Sequence, residues 1–358
     1  MTSGRAIGMG VIGAGSVLWA YLQQLDRLIP RGLAREGPIC ARRREAWPEL
    51  RAKRPAIDLV AAADEVFTSD VDVVAILTSP SSHASLAIDA LRHGKHVLVE
   101  KPLGLSVAEA TAVYEEAERR GRHVLAAPFV QLSPTFRELW TRVTDGEIGR
   151  VHAARASYGN LGAPWASWFR DGEIGPLAEV GIYNLSSLTA LLGPAVELTA
   201  ATSLSPAGPD GATIHVTLRH VGGAISSITA SHAMPAYRRP GLELYGTEGT
   251  ANLLGDDWDP HGIEVWRDGA WTTFTSRDPT WLWTDGLREI VVALAEGRTP
   301  RADRDQALHV VELIEAATRA ARDGGTVGVT SRPAPVDLRI DLGADVHVHD
   351  HTRPPDDQ

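Results

Sequence analysis

His96-Val97-Leu98-Val99-Glu100-Lys101-Pro102-Leu103-Gly104 is the stretch on which the fold turns. Its near-continuous run of apolar and β-branched residues predicts a strand buried on both faces, and the proline that follows stops the ladder. The run delivers Glu100 and Lys101 to the carboxyl end of that strand. In a doubly wound parallel sheet this end faces the crevice where ligands bind, which makes Lys101 a candidate for chemistry. The bland alternative is a surface lysine in a strand-to-loop turn. The rest of the chain decides between the two.

Downstream, Ser106-Val107-Ala108-Glu109 is a capping box that opens a helix to about Arg120, and a strand follows from His123 to Ala126. Upstream, Val71 to Leu77 is another buried strand and ends in Thr78-Ser79-Pro80-Ser81-Ser82-His83. The helix from Ser82 to His93 carries Ala84, Ala87, Ile88 and Leu91 on one face and stops at Gly94. At the amino terminus, Ala6 to Ile12 predicts a strand that runs into Gly13-Ala14-Gly15-Ser16-Val17-Leu18, with a helix from Val17 to Leu28. Glycines at such a turn let backbone N–H groups and the helix dipole hold a pyrophosphate. Only the first two glycines of G-x-G-x-x-G are present, since Leu18 takes the third position. A strand from Pro38 to Ala41 precedes Arg42-Arg43-Arg44-Glu45, with Pro30 to Pro38 as a long connection. An acid at this strand end bonds a ribose 2′-hydroxyl, whereas arginine accommodates a 2′-phosphate. Arginines therefore point to NADP, with NAD as the lesser option, unless they only begin a solvated helix. Strand and helix alternate through roughly 125 residues, the pattern of a parallel, doubly wound sheet.

Gly13-Ala14-Gly15, Thr78-Ser79-Pro80 with His83, Gly94-Lys95-His96-Val97 and Glu100-Lys101-Pro102 together resemble the Gfo/Idh/MocA oxidoreductase family. The block from Gly94 to Leu103 is more specific to it than the glycine loop. The resemblance covers about residues 6 to 331 and implies a Rossmann domain over 1–127, then an α+β domain over 128–331 with a large open, mostly antiparallel sheet. It also implies a nicotinamide cofactor. Gly13, Gly15, Ser16, Val17, Arg42, Arg43, Thr78, Ser79, Pro80, His83, Glu100 and Lys101 are its expected contacts.

The carboxyl-terminal half agrees with that expectation. Pro134 to Val143 predicts a helix and Gly149 to Ser157 a strand. From Val196 to Ser276 strands are separated by turn signals at Ser205-Pro206-Ala207-Gly208, Val221-Gly222-Gly223 and Asp268-Gly269. Such a meander forms an antiparallel sheet that helices cover on one face and a second subunit can cover on the other, so a homodimer or homotetramer is expected. Tyr245 to Thr250 is similar to a hairpin of the family, and helices are predicted from Trp283 to Ala295 and from Arg304 to Arg322. Residues 332–358, with His347, His349 and His351, have little apolar content and are expected to be peripheral, with metal binding the lesser reading.

Glu179 and Tyr183 open a predicted helix over Gly175 to Leu192 and are spaced to share one face. In the family this segment carries an acid and, four residues on, a His or Tyr that handles the substrate proton. Here Glu stands where Asp is commoner, and Tyr where many relatives have His. A nearby ammonium such as Lys101 stabilises phenolate, so Lys101, Tyr183 and Glu179 are the expected catalytic residues. The competing reading of Tyr183 is a core residue with a tethered hydroxyl. Tyr158 to Arg170 is a Gly- and Pro-punctuated loop rich in aromatic rings. Trp165 and Trp168 are expected to pack on the C–H faces of a sugar or other ring, with Arg170 or Asn160 bonding its polar groups and Trp281 and Trp283 joining the surface. The alternative is a hydrophobic staple.

Composition sets the bounds. A 358-residue chain with 44% hydrophobic and 22% charged residues is globular and large enough for two domains. A formal net charge of −10 argues against nucleic-acid or anionic-membrane partners. A single cysteine, Cys40, excludes an internal disulfide, and no apolar run has membrane-spanning length, so a cytoplasmic location is expected. These readings converge on an NADP-preferring enzyme acting on a secondary alcohol or ketone of a sugar, glycoside or cyclic polyol. A redox-neutral enzyme with tightly held cofactor and a non-catalytic cofactor-binding regulator are the rivals.

Overall fold

The structure, a computed structural model, describes residues 5–170, 172–205, 208–236, 240–275, 278, 281–301 and 304–339. The chain divides into two compact units: residues up to Ala127 with Thr284–Arg304, and Pro128–Trp283 with the residues from Asp305 onward.

In the first unit strand and helix alternate as the sequence predicts. The order is β1 (Ile7–Ile12), α1 (Leu18–Leu28), β2 (Ala34–Cys40), α2 (Trp47–Lys53), β3 (Leu59–Val60), α3 (Ala63–Phe67), β4 (Val73–Ile76), α4 (His83–Arg92), β5 (His96–Val99), α5 (Val107–Arg120) and β6 (Val124–Ala126). The strands pair in parallel in the order β3-β2-β1-β4-β5-β6, that of a dinucleotide-binding Rossmann sheet. Val73 to Ile76 and Val97 to Val99 are fully buried, which is why these strands carry no alternation of polar residues. Ser106 caps α5, its Oγ accepting from Glu109 N at 3.1 Å. One boundary differs. β2 begins at Ala34, not Pro38, because the register against β1 jumps from Met9↔Glu36 to Val11↔Ile39. Gly37 and Pro38 form a bulge, where a proline costs the ladder no donor.

The second unit contains α6 (Pro134–Thr144), β7 (Val151–Gly159), α7 (Ser167–Arg170), a π-helical turn (Leu177–Gly181), α8 (Ile182–Leu192), β8 (Ala195–Ser205), β9 (Gly208–His220), β10 (Ile225–Ser231), β11 (Leu242–Gly246), β12 (Gly249–Asp256), β13 (Asp259–Arg267) and β14 (Ala270–Thr275). After α9 (Gly286–Glu296), it is completed by α10 (Arg304–Asp323) and β15 (Val327–Gly328). Its nine-stranded sheet runs β14-β13-β12-β11-β7-β10-β9-β8-β15. Every pair is antiparallel except β7 with β10. Asp268 and Gly269, at φ 52° and 85°, make the tight turn between β13 and β14. The core of this unit packs Leu185, Leu188, Val310 and Leu313 against inward-facing strand residues such as Val216, Ile228, Leu244 and Leu253.

Two segments depart from the sequence division. Read as part of the second domain, α9 instead packs on α1 in the first unit, and Gln24 Nε2 donates to buried Asp285 Oδ1 at 2.6 Å. Read as peripheral, residues 332–339 are tied down. Arg137 donates to the carbonyls of Leu338 and Arg339, Gln306 to that of Ala334, and Val336 and Leu338 pack against the core. Alternating apolar residues in a short segment were enough to anchor it. His347, His349 and His351 lie outside the described residues.

Candidate active site

In the first unit the expected cofactor residues collect at the carboxyl ends of neighbouring strands. Gly13 leaves β1 at φ 109°, and a Cβ there would lie 2.5 Å from the Leu77 carbonyl oxygen, so no other residue fits this turn. At Gly15 a Cβ would meet nothing within 4 Å. Val17, the N-cap residue before α1, gives no side-chain cap, and the first turn has no acidic residue. Leu18 N turns back to the Gly15 carbonyl at 3.3 Å, and with open space at Gly15 and no competing carboxylate in the first turn, this helix start fits a pyrophosphate. After β2 and Ala41 come Arg42 and Arg43, both exposed, and among the described residues neither forms an ion pair. Arg44 is different, because its guanidinium lies 5.2 Å from the Trp47 ring centroid, and Trp47 Nε1 donates to the Ala41 carbonyl at 2.8 Å.

Lys101 follows β5, half-buried, between two buried side chains. Glu100 accepts from Tyr21 Oη at 2.7 Å with one oxygen and from the Lys101 amide at 3.0 Å with the other. His83 spans the Thr78 and Pro102 carbonyls at 3.0 and 2.7 Å, and burial holds its pKa below the ordinary value. Ser82 Oγ donates to the Ser79 carbonyl, so Thr78 Oγ1 is the donor in its 2.7 Å bond to Ser82 Oγ. Expected on the cofactor, Glu100 and His83 are therefore clamps: they fix the chain on either side of Lys101 and after β4. Tyr21 was not legible, since a tyrosine on the apolar face of α1 carries no sign of its partner 79 residues on.

In the second unit β7 and β10 run side by side in parallel, which brings Tyr158 beside Ala230 and Gly159 beside Ser231. Glu179 lies in the π-helical turn and Tyr183 in the first turn of α8. The sequence predicted one uninterrupted helix. The wider turn occurs where Gly181 crosses β10: a Cβ on it would be 3.0 Å from the Ala230 Cβ and 2.7 Å from Leu177 Cδ1. That approach sets Glu179 Oε2 2.9 Å from His232 Nε2. Tyr183 is half-buried, its ring edge-on to Tyr158 at 6.0 Å. In the loop, Trp165 is 70% exposed and Trp168 stands perpendicular to Phe169. Asn160 Oδ1 accepts from Gly162 N at 2.7 Å, so this oxygen shapes the loop. The Arg170 side chain lies outside the described residues, and Trp281 and Trp283 are half-buried. His232 was missed; its only signal was a histidine closing the β-rich run Ile225–Ser231.

Comparison with known proteins decides the family. Residues 7–127 match the oxidoreductase family with NAD-binding Rossmann fold, and residues 136–252 match the GFO/IDH/MocA C-terminal domain. The chain belongs to the Gfo/Idh/MocA family. It is a nicotinamide-dependent oxidoreductase. Trans-1,2-dihydrobenzene-1,2-diol dehydrogenase of Bos taurus is 28% identical over 266 residues, 73% of this chain and 78% of its own. D-apiose dehydrogenase of Paraburkholderia graminis is 28% identical over 297 residues, covering 76% and 77%. Among solved structures, GenD2 from gentamicin A biosynthesis, in complex with NAD, is 26% identical with a TM-score of 0.77 and covers 92% of this chain and 98% of its own. Among the described residues no helix is long and apolar enough to cross a membrane, and no cluster of three or more His, Cys, Asp or Glu could hold a metal ion.

Proposed function

We propose that this member of the family is an NADP-preferring enzyme for a secondary alcohol, or the matching ketone, of a sugar, glycoside or cyclic polyol. The observation that supports it most is the row of strand ends in the first unit, with the glycine loop after β1, Arg42 and Arg43 after β2, Thr78 to Pro80 after β4 and clamped Lys101 after β5. Gly13, Gly15, Ser16 and Val17 would hold the pyrophosphate, the two arginines a 2′-phosphate, and Thr78, Ser79 and Pro80 the neighbouring part of the cofactor. A bound nicotinamide supplies the hydride acceptor in oxidation and the donor in reduction.

The chain manages the proton and the substrate. Tyr183 is the general base in oxidation and the acid in reduction. Lys101 hydrogen-bonds the reacting oxygen and stabilises its negative charge. Glu179 accepts from a substrate hydroxyl. Trp165 and Trp168 offer flat faces to the C–H face of a ring, with Arg170 on its polar groups. The relatives named for a cyclic diol and a pentose support this substrate class.

The test is a panel of D-apiose, D-glucose, myo-inositol and trans-1,2-dihydrobenzene-1,2-diol with NADP+ and NAD+, followed by nicotinamide absorbance. Lys101→Ala should lower kcat/KM by more than about 100-fold, the scale of a lost proton-handling group, while NADPH binding followed by fluorescence stays within about threefold. An active Lys101→Ala enzyme overturns the assignment.

A further inference from the structure

The Glu179 partner is the feature that the family resemblance did not supply. Backbone on both sides of His232 is fixed. The Ser231 carbonyl accepts from Asn160 N at 3.0 Å, the Asn160 carbonyl accepts from Met234 N at 3.2 Å, and Ser231 Oγ bonds Ala233 N and Thr213 Oγ1 at 2.9 and 2.7 Å. The imidazole is buried, with its side chain 2% exposed. On one side its Nε2 meets Glu179 Oε2, and on the other it packs edge-on against Phe169, with ring centroids 5.0 Å apart. Phe169 in turn closes over Gly162, where an added Cβ would lie 2.0 Å from Phe169 Cζ. One buried ring thus joins the carboxylate of the π-helical turn to the aromatic loop.

An ionised carboxylate only accepts, so Nε2 carries the proton in this bond. Glutamate has one more rotatable bond than the aspartate commoner at this position of the family. A carboxylate held at one oxygen by a buried donor has lost much of that freedom.

We propose that His232 is a positioning residue: it orients Glu179 toward a hydroxyl of the substrate and fastens the loop of Trp165 and Trp168 to the same carboxylate. The proposal rests on the role given above to Glu179. Its consequence is that the two side chains act as a unit, which a thermodynamic cycle detects.

Wild type, Glu179→Ala, His232→Ala, His232→Gln and the double variant Glu179→Ala/His232→Ala are compared on the four substrates named above, each first checked for a wild-type circular dichroism spectrum and melting temperature. His232→Ala is expected to lower kcat about 10- to 100-fold, with the KM for NADP+ unchanged. His232→Gln, whose amide N–H can donate to Glu179, should recover most of the loss, and the double variant should be no slower than Glu179→Ala alone. A fully active Glu179→Ala enzyme, or a wild type inactive on all four substrates, overturns the underlying function. A defective Glu179→Ala enzyme beside a fully active His232→Ala one, or losses that simply multiply in the double variant, overturns the role of His232 alone. If His232→Ala does not fold, His232→Phe keeps a ring against Phe169 and removes the donor, and full activity in it overturns the proposal.

Discussion

Arg42 and Arg43 leave β2 as two exposed positive charges, and no acid appears before Glu45. The third arginine of the run is occupied differently, since Arg44 and Arg51 both lie 5.2 Å from the centroid of the Trp47 ring. Under the proposed NADP preference, these two guanidiniums would hold the 2′-phosphate, and each charge-assisted bond to it would contribute about 1.5–3 kcal/mol. Replacing Arg42 by Asp and Arg43 by Ser should lower the ratio of kcat/KM for NADP+ to that for NAD+ by at least about 100-fold, as follows from removing both contacts. An unchanged ratio in steady-state assays refutes the preference. At this scale the sequence was informative where a residue's neighbours in the chain carry its meaning. Lys101 stood out because the strand before it and the proline after it define its place. His232 and Tyr21 did not, because each is explained by a carboxylate far along the chain, Glu179 and Glu100.

Helix α8 shows how an element that carries a candidate catalytic side chain is held. Asn184, next to Tyr183, donates from Nδ2 to Asp257 Oδ2 at 3.1 Å, and Asp257 lies fully buried at the turn between β12 and β13. Burial pushes the Asp257 carboxyl up to about 6, despite the hydrogen bond from Asn184 that lowers it. Raised above its unfolded value near 3.8, this carboxyl favours folding most when both states are protonated. That contribution is lost as pH rises from about 4 through about 6, by about 3 kcal/mol in all. Asp257→Asn keeps an acceptor for Asn184 and removes the charge, so it should raise the melting temperature at pH 8 and leave it nearly unchanged at pH 4. Equal effects at both pH values, measured by thermal melts, would remove burial of charge as the cause. The helix itself was legible in the sequence, but its π-helical start was not. That turn follows from the approach of Gly181 to Ala230, a contact between segments that no local pattern encodes.

For the molecule as a whole, the parallel sheet and the antiparallel meander were readable because each has its own hydrophobic period and turn chemistry. The return of α9 to the first unit was not, since its apolar face fits either unit and only packing on α1 decides. The same long-range packing buries histidines in both units, and from this a loss of stability in acid is predicted. His83 and His220 are held below their ordinary pKa by burial, and His96 and His309 are pushed down to about 4 for the same reason first. His309 is the clearest case. Its Nε2 accepts from Ala195 N at 3.1 Å, so the proton sits on Nδ1, which donates to Ser331 Oγ at 2.6 Å. Protonation would turn the acceptor into a donor facing an N–H at the start of β8. A group whose folded pKa is depressed stabilises fully above its unfolded value and loses that contribution as pH falls, here from about 6.5 toward 4. For a residue as buried as His309 the loss is about 3 kcal/mol. Urea unfolding of the wild type should therefore show midpoints that fall steeply below pH 6.5. His309→Asn, which can still accept from Ala195 N without titrating, should start lower at pH 7.5 and fall less between pH 6.5 and 4.5; a variant curve parallel to the wild type would assign the acid response to the other buried histidines.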